Sequence, residues 1–132
     1  MQIADCKLQN DGDKKSVILR ARTKKYALRI ISLYMALREN ELGRVLGKQL
    51  LRSGTSVGAH YSEACRARSV AEFVSKMEGG LQELQETAYW MDLLVESKQI
   101  KAAKLKSLID ETSQLIAIFI SSIRTSKNRR DS

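Results

Sequence analysis

Residues 52–90 read RSGTSVGAHYSEACRARSVAEFVSKMEGGLQELQETAYW, and the spacing of their apolar side chains decides the fold. Ser69-Val70-Ala71-Glu72 fits a capping box, in which the serine accepts from the third helical amide and the glutamate reaches back, so a helix is expected from Val70. Beyond it Phe73, Met77, Leu81, Leu84, Ala88, Met91 and Val95 step by four, four, three, four, three and four. That is an apolar seam roughly six turns long, ending near Ser97. Upstream, Val45, Leu46, Leu50, Val57, Tyr61 and Ala64 mark a preceding helix that runs to about Arg66. Gly47, Gly54 and Gly58 lie within it. Each costs a helix about 1 kcal/mol relative to alanine, so their presence points to a place where another backbone comes close.

Two further helices flank this pair. Ala27, Ile30, Ile31, Tyr34 and Leu37 lie on one helical face, which gives a first helix from about Ser16 to near Arg38. Asn40-Glu41-Leu42-Gly43 reads as the connection to the second helix. Lys98 to Lys101 makes the last connection, and Leu105, Leu108, Ile109, Thr112, Leu115, Ile116, Phe119 and Ile123 form a fourth seam. Residues 1–15 are expected to be a flexible polar arm, 16–125 the bundle, and 126–132 a frayed basic C-terminal tail. With 132 residues, 43% apolar side chains, no proline and seven glycines, the composition suits long uninterrupted helices better than turn-rich sheet. The expectation is one all-α domain, an antiparallel up-down four-helix bundle. Apolar residues left over beside the seams, Tyr89, Trp90, Leu93 and Leu94 in the third helix and Ile118 and Ile120 in the fourth, imply a second buried face and an oligomer.

No run approaches the 18 or more apolar residues of a membrane span, and the N-terminus lacks the apolar stretch of a signal peptide, so a cytoplasmic location is expected. Cys6 and Cys65 are expected to be free thiols, because a bundle of this size needs no disulfide.

The formal charge of +8 is segregated. Residues 1–29 hold eight Lys or Arg against three Asp, and residues 98–132 hold eight against three acids, so each end is net +5; residues 30–97 hold seven basic and nine acidic side chains, net −2. Clustered flexible cations attract polyanions by releasing condensed counterions, which makes RNA or DNA the first partner to consider. A solvated surface that merely keeps the protein soluble is the competing reading. An anionic membrane is a weaker fit, since the basic stretch from Lys14 to Arg29 lacks the Trp and Phe that anchor an interfacial helix.

Ser56, His60 and Glu63 stand at i, i+4 and i+7 of one helix and invite comparison with a hydrolytic triad. A triad needs a histidine bridging two groups at different angles, with an oxyanion hole beside it, and one straight helix supplies neither. The structural expectation is Glu63 paired with Arg66, Arg68 or a neighbouring helix terminus, and His60 bonded to a backbone or hydroxyl group. The single histidine and its neighbours Glu63 and Cys65 do not make a closed zinc site, and GTSVG at 54–58 lacks the lysine of a phosphate-binding loop. A non-enzymatic bundle with no metal or cofactor is the result.

Ser56-Val57, His60, Glu63-Ala64, Arg66 or Arg68, Ser69 and Glu72-Phe73, followed by Lys76, Glu83, Glu86-Thr87 and Tyr89-Trp90, form a signature. It resembles that of the bundle family comprising proteins encoded in intervening sequences of ribosomal RNA genes (S23-like) and the accessory variability determinants of diversity-generating retroelements. His60 stands where that family usually has asparagine. The resemblance implies four-helix subunits assembled into a homopentameric ring. For the retroelement branch it implies a reverse transcriptase partner and template RNA or DNA held on a basic surface during complementary-DNA synthesis. The residues expected to bind nucleic acid, chosen on charge placement, are Lys14, Lys15, Arg20, Arg22, Lys24, Lys25 and Arg29 at one end and Arg124, Lys127, Arg129 and Arg130 at the other. The alternative is an oligomeric protein-interaction scaffold of the ribosomal-gene branch with no direct nucleic-acid role.

Overall fold

The computed structural model describes residues 10–131, and the side chains of residues 14–129. Four helices follow one another: α1 (Asn10–Leu37), α2 (Glu41–Cys65), α3 (Val70–Glu96) and α4 (Ala102–Asp131), with no strand among the described residues. The starts of α2 and α3 are fixed by side chains. Ser69, in extended backbone, accepts from the Glu72 amide at 3.0 Å, as the capping pattern requires. The Glu72 carboxylate accepts from the Arg68 amide at 3.1 Å, one residue further out than a standard capping box.

At the start of α2 the structure corrects the sequence reading. Asn40 accepts from the Gly43 amide at 2.8 Å and is the N-cap, so Glu41-Leu42-Gly43 is the first turn of α2 rather than a connection. A Cβ on Gly43 would strike the Leu37 carbonyl oxygen, which explains why a glycine occupies a helical turn. Helix α3 ends in a Schellman turn: the Lys98 amide bonds to the Val95 carbonyl at 3.0 Å and the Gln99 amide to Leu94 at 2.9 Å. Lys98 takes the left-handed conformation there, φ 64°, where glycine is usual. The two terminal segments also differ from expectation. Residues 10–15 are already part of α1, and the chain after 126 continues as α4 to Asp131; residues 1–9 of the expected arm lie outside the described residues.

Helices adjacent in sequence pack side by side in antiparallel order. Three glycines of α2 let α1 approach: Gly47 lies against Tyr34, Gly54 against Ile30 and Gly58 against Thr23. Gly80 admits Phe119 between α3 and α4. Helices α1 and α4 come together least closely. They are joined by a polar ladder in which Arg22 meets Glu111, Tyr26 meets Thr112 and Arg29 meets Ser107.

The core is built from Leu19, Tyr26 and Ile30 of α1, Leu50, Val57 and Tyr61 of α2, Met77, Leu84, Met91 and Leu94 of α3, and Leu105, Leu115 and Phe119 of α4. Helix α4 buries Leu105, Leu108, Thr112, Leu115, Phe119 and Ile123 of its expected seam but leaves Ile109 exposed. Helix α3 buries Val74, Met77, Gly80, Leu84, Thr87, Met91 and Leu94, while Phe73, Leu81, Ala88 and Val95 are only half-buried. The reason is that α3 is flanked by both α2 and α4, so its buried stripe is centred between the two neighbours. Cys65 is buried and disulfide-bonded rather than a free thiol, while Cys6 lies outside the described residues.

Buried hydroxyls cross-link the helices. The Tyr26 hydroxyl lies 2.6 Å from Thr112 Oγ1, whose own proton goes to the Leu108 carbonyl, so Tyr26 is the donor. Ser53 meets Thr87 at 2.8 Å in the same way, with Thr87 donating to the Glu83 carbonyl. Burial pushes the Tyr26 hydroxyl up to about 12, against the opposing effect of its bond to Thr112, and burial pushes Tyr61 up to about 12 as well. A tyrosine whose folded value exceeds its unfolded value near 10 contributes stability that is complete below pH 10 and lost as pH rises to 12. Each such tyrosine corresponds to roughly 2–3 kcal/mol at the full shift. Urea unfolding at a series of alkaline pH values should therefore show stability falling steeply between pH 10 and 12, and a Tyr26→Phe, Tyr61→Phe variant should show a shallower fall. Equal slopes for both proteins would remove these tyrosines as the cause.

Candidate nucleic-acid interface

The antiparallel order puts the N-termini of α1 and α3 and the C-termini of α2 and α4 at one pole of the bundle. The ends of the chain, far apart in sequence, are neighbours there. Lys14 and Lys15 of α1 and Arg124 of α4 are exposed, and the connection between α2 and α3 adds the exposed Arg66 and Arg68. None of these five side chains makes an ion pair among the described residues. The carboxylates nearby are engaged: Glu63 pairs with Lys76 at 3.3 Å, Glu78 with Lys127 at 3.1 Å, and Glu72 caps the Arg68 amide. Among the described side chains the pole thus presents cations from α1, α4 and the α2–α3 connection that no described carboxylate pairs. Flexible, exposed cations of this kind suit contact with a polyanion.

The eleven residues chosen from the sequence divide into groups. Lys14, Lys15, Arg124, Lys127 and Arg129 lie at the pole, with Lys127 held by Glu78. Arg130 belongs to the last turn of α4, but its side chain is outside the described set. Arg20 is half-buried, close enough to Tyr61 to oppose the rise in its hydroxyl. Lys24 and Lys25 are exposed along the middle of α1. Arg22 and Arg29 are in the α1–α4 ladder. Arg22 forks onto Glu111 through Nε at 3.1 Å and Nη2 at 2.6 Å, reaching Gln114 at 3.2 Å, and Arg29 Nη2 donates to Ser107 at 2.9 Å. The ladder borders an open groove of about 550 Å³ lined by Arg29, Lys106, Ser107, Asp110, Glu111 and Gln114. Its mixed signs do not favour an anion.

Arg66 and Arg68 were absent from the sequence-based set. They sit in the near-neutral middle third of the chain, and only the topology brings them to the ends. A local signal existed, since both flank the cap of α3 on an exposed corner.

The residues of the tempting triad separate. The Ser56 hydroxyl donates to the Arg52 carbonyl at 2.6 Å, Glu63 turns to Lys76, and His60 Nε2 lies 3.7 Å from Glu83 Oε2. His60 therefore faces a carboxylate of α3, not the backbone or hydroxyl group expected. Its ring packs over Gly79, where a Cβ would come within 2.8 Å of it, and its Nδ1 is buried without a hydrogen-bond partner. Arg52 joins Glu83 and Glu86, and its bond to Glu86 is the main cause holding the guanidinium above its ordinary value. Much of the signature from 52 to 90 thus joins α2 to α3.

The apolar surplus lies only partly where expected. Tyr89 and Ile120 are exposed, but Leu94 is fully buried and Trp90, Leu93 and Ile118 are half-buried, and α1 also exposes Val17, Ile18, Leu28, Ile31 and Met35. No helix among the described residues is long and apolar enough to cross a membrane, and none of their His, Cys, Asp or Glu clusters could hold a metal ion.

Comparison with known proteins places the fold and sequence together. The chain is similar over residues 15–121 to the family of 23S rRNA-intervening sequence proteins. Among solved structures it is similar to a protein of unknown function from the S23 ribosomal protein family of Bacteroides thetaiotaomicron, with 34% identity and a TM-score of 0.79 over 83% of this chain and 98% of that one. No curated protein matches at a significant level. Neither match is to an enzyme family. A signature that joins α2 to α3, four helices in antiparallel order and a match spanning most of the chain carry one conclusion: this protein belongs to the 23S rRNA-intervening sequence protein family.

Proposed function

We propose that this chain is a non-enzymatic accessory protein that binds the phosphate backbone of RNA or DNA through its basic pole and acts as a homo-oligomer. The supporting observation is the convergence of Lys14, Lys15, Arg66, Arg68 and Arg124, from both ends and the middle of the sequence, on one exposed surface. A ring of five subunits, which the family resemblance implies, would repeat this pole fivefold and convert weak phosphate contacts into avidity. The finer assignment is to the retroelement branch, with a reverse transcriptase as protein partner and complementary-DNA synthesis as the process served. It rests on that resemblance and on the basic surface. With few exposed aromatics to stack on bases, the pole reads backbone rather than sequence.

A second reading, an oligomeric scaffold without direct nucleic-acid contact, is favoured by the ribosomal-gene family match and by the ladder, which takes Arg22 and Arg29 out of a free basic surface. Light-scattering mass with and without a structured RNA separates the two. At about 0.1 M salt the oligomer should gain the mass of bound RNA, and at about 0.5 M salt it should lose it, because phosphate contacts weaken linearly in log affinity with log salt. A mass near five subunits that ignores RNA at both salts would leave the scaffold.

A further inference from the structure

Helix α4 divides the cations of the last third of the chain between the two ends of the bundle. Arg124, Lys127, Arg129 and Arg130 belong to its final turns, whereas Lys98, Lys101, Lys104 and Lys106 stand near or just before its start. Its 30 residues, at about 1.5 Å each, set the two groups roughly 45 Å apart. The antiparallel order also brings the α1–α2 connection to the start of α4, and the bond from Arg29 to Ser107 places the later turns of α1 beside the early turns of α4. Arg38, which follows α1, therefore joins the lysines at this second pole.

Residues 97–109 hold four lysines and no acid. Lys106 is paired with Asp110 at 3.5 Å, but Arg38, Lys98, Lys101 and Lys104 are exposed and make no ion pair among the described residues. Glu39 and Glu96, the exposed carboxylates that flank them in sequence, are not paired to them. The Lys104 amide bonds to the Lys101 carbonyl at 3.0 Å, which holds these two lysines within one turn. Lys98 carries a separate signal. It occupies the left-handed position of the Schellman turn at φ 64°, where glycine would be free of the steric cost. A residue kept in a conformation that disfavours it points to a use for its side chain, and an exposed lysine has its charge and its donors to offer.

We propose that Arg38, Lys98, Lys101 and Lys104 form a second phosphate-binding surface, by which the subunit holds a second segment of RNA at the end opposite the first pole. A phosphate backbone offers a charge about every 3.4 Å along each strand, so lysines within one turn of each other can each meet one. With a basic pole at each end, the protein links two RNA segments instead of coating one. This second surface rests on the nucleic-acid half of the proposed function and extends it to a place the first pole does not reach.

Isothermal titration of the full chain at about 0.1 M salt tests it, using a short RNA hairpin whose stem is shorter than the bundle, so that one molecule does not touch both poles. The wild-type chain should fill two steps of equal stoichiometry, the second weaker because four cations stand there beside Glu39 and Glu96. The Lys98→Gln, Lys101→Gln, Lys104→Gln variant should weaken the second step by about tenfold or more, reduce its salt dependence, and leave the first step unchanged. Lys98→Gly alone should raise the melting temperature by roughly 2–5 °C, through relief of the left-handed lysine, and still weaken the second step. A second step that survives the triple substitution, or a wild-type titration that ends after one step, would overturn the second surface. Poly-glutamate displacing RNA from the second step alone would overturn it too, in favour of an acidic protein at this pole. A wild-type chain that takes up no RNA would instead overturn the nucleic-acid reading on which it rests.

Discussion

Gly54→Ala destabilises the bundle by about 1–2 kcal/mol, while Gly58→Ala, one turn later on the same face of α2, stabilises it by about 0.5–1 kcal/mol. Both substitutions gain the helix propensity of alanine over glycine, about 1 kcal/mol. They differ in what the new methyl meets. At Gly54 it would lie 2.7, 2.9 and 3.0 Å from Cγ1, Cγ2 and Cδ1 of Ile30, a fully buried β-branched side chain with little rotamer freedom. Three such contacts force α1 and α2 apart, an overpacking cost of roughly 1–3 kcal/mol or more that exceeds the propensity gain. At Gly58 the nearest atom is Thr23 Oγ1 at 3.4 Å, with the rest at 3.6 Å, which is ordinary contact. Urea midpoints for the two variants give the signs directly. Ile30→Ala alone should cost roughly 2–5 kcal/mol through its cavity, and the Gly54→Ala, Ile30→Ala double variant should be more stable than the sum of the single effects. Strict additivity would show that the glycine is not there to admit Ile30.

The same pair explains what the sequence could and could not convey. Glycines inside a helical pattern correctly marked a close approach, because a residue that weakens a helix needs a packing reason. The approaching groups at Gly47 and Gly54 are side chains of α1, at Gly58 both the side chain and the carbonyl oxygen of Thr23 are in ordinary contact, and at Gly43 the Leu37 carbonyl is the obstacle. Ser69 announced the start of α3 because a serine three residues before a glutamate has few other readings. Asn40 did not, because Asn-Glu-Leu-Gly fits a turn and a cap equally well until the position of Leu37 is known. Periodicity located α3 but centred its buried face on Phe73 and Leu81 rather than Val74 and Gly80, since a helix with two neighbours buries the direction between them. The apolar surplus was sought on α3 and α4, where the side chains are largest. Tyr89 and Ile120 are exposed there, but α1 adds Leu28, Ile31 and Met35 on the side away from its buried Tyr26 and Ile30.

Charge placement was the least legible feature, because counts along a chain do not know which segments meet. Arg22 and Arg29 looked like free cations and are the polar ladder that holds α1 to α4; Arg66 and Arg68 lay in a stretch of net negative charge and stand at the pole.

That difference yields the second large effect. Reversing Lys14, Lys15, Arg66, Arg68 and Arg124 to glutamate should lower RNA affinity at about 0.1 M salt by on the order of a hundredfold or more and flatten its salt dependence. Thermal stability should be nearly unchanged, since exposed unpaired side chains each contribute within about 0.5 kcal/mol. Arg22→Glu should do the reverse. It would place a second carboxylate against Glu111 at the least closely packed side of the bundle and remove a forked bond between partly buried groups, at a cost of roughly 1–2 kcal/mol of stability. Its effect on RNA should be small once the comparison is made well below the melting temperature. The Arg66→Ala, Arg68→Ala pair is the sharper probe, because nothing in the charge of the two chain ends requires it to matter. About a tenfold loss in affinity from that pair alone would mean that RNA meets the corner of α2 and α3, so that the ligand spans the whole pole. Full retention by that pair, with loss on reversing Lys14, Lys15 and Arg124, would confine the contact to α1 and α4. Retention by the five-residue variant would remove the pole as the binding surface altogether and return the protein to the scaffold reading.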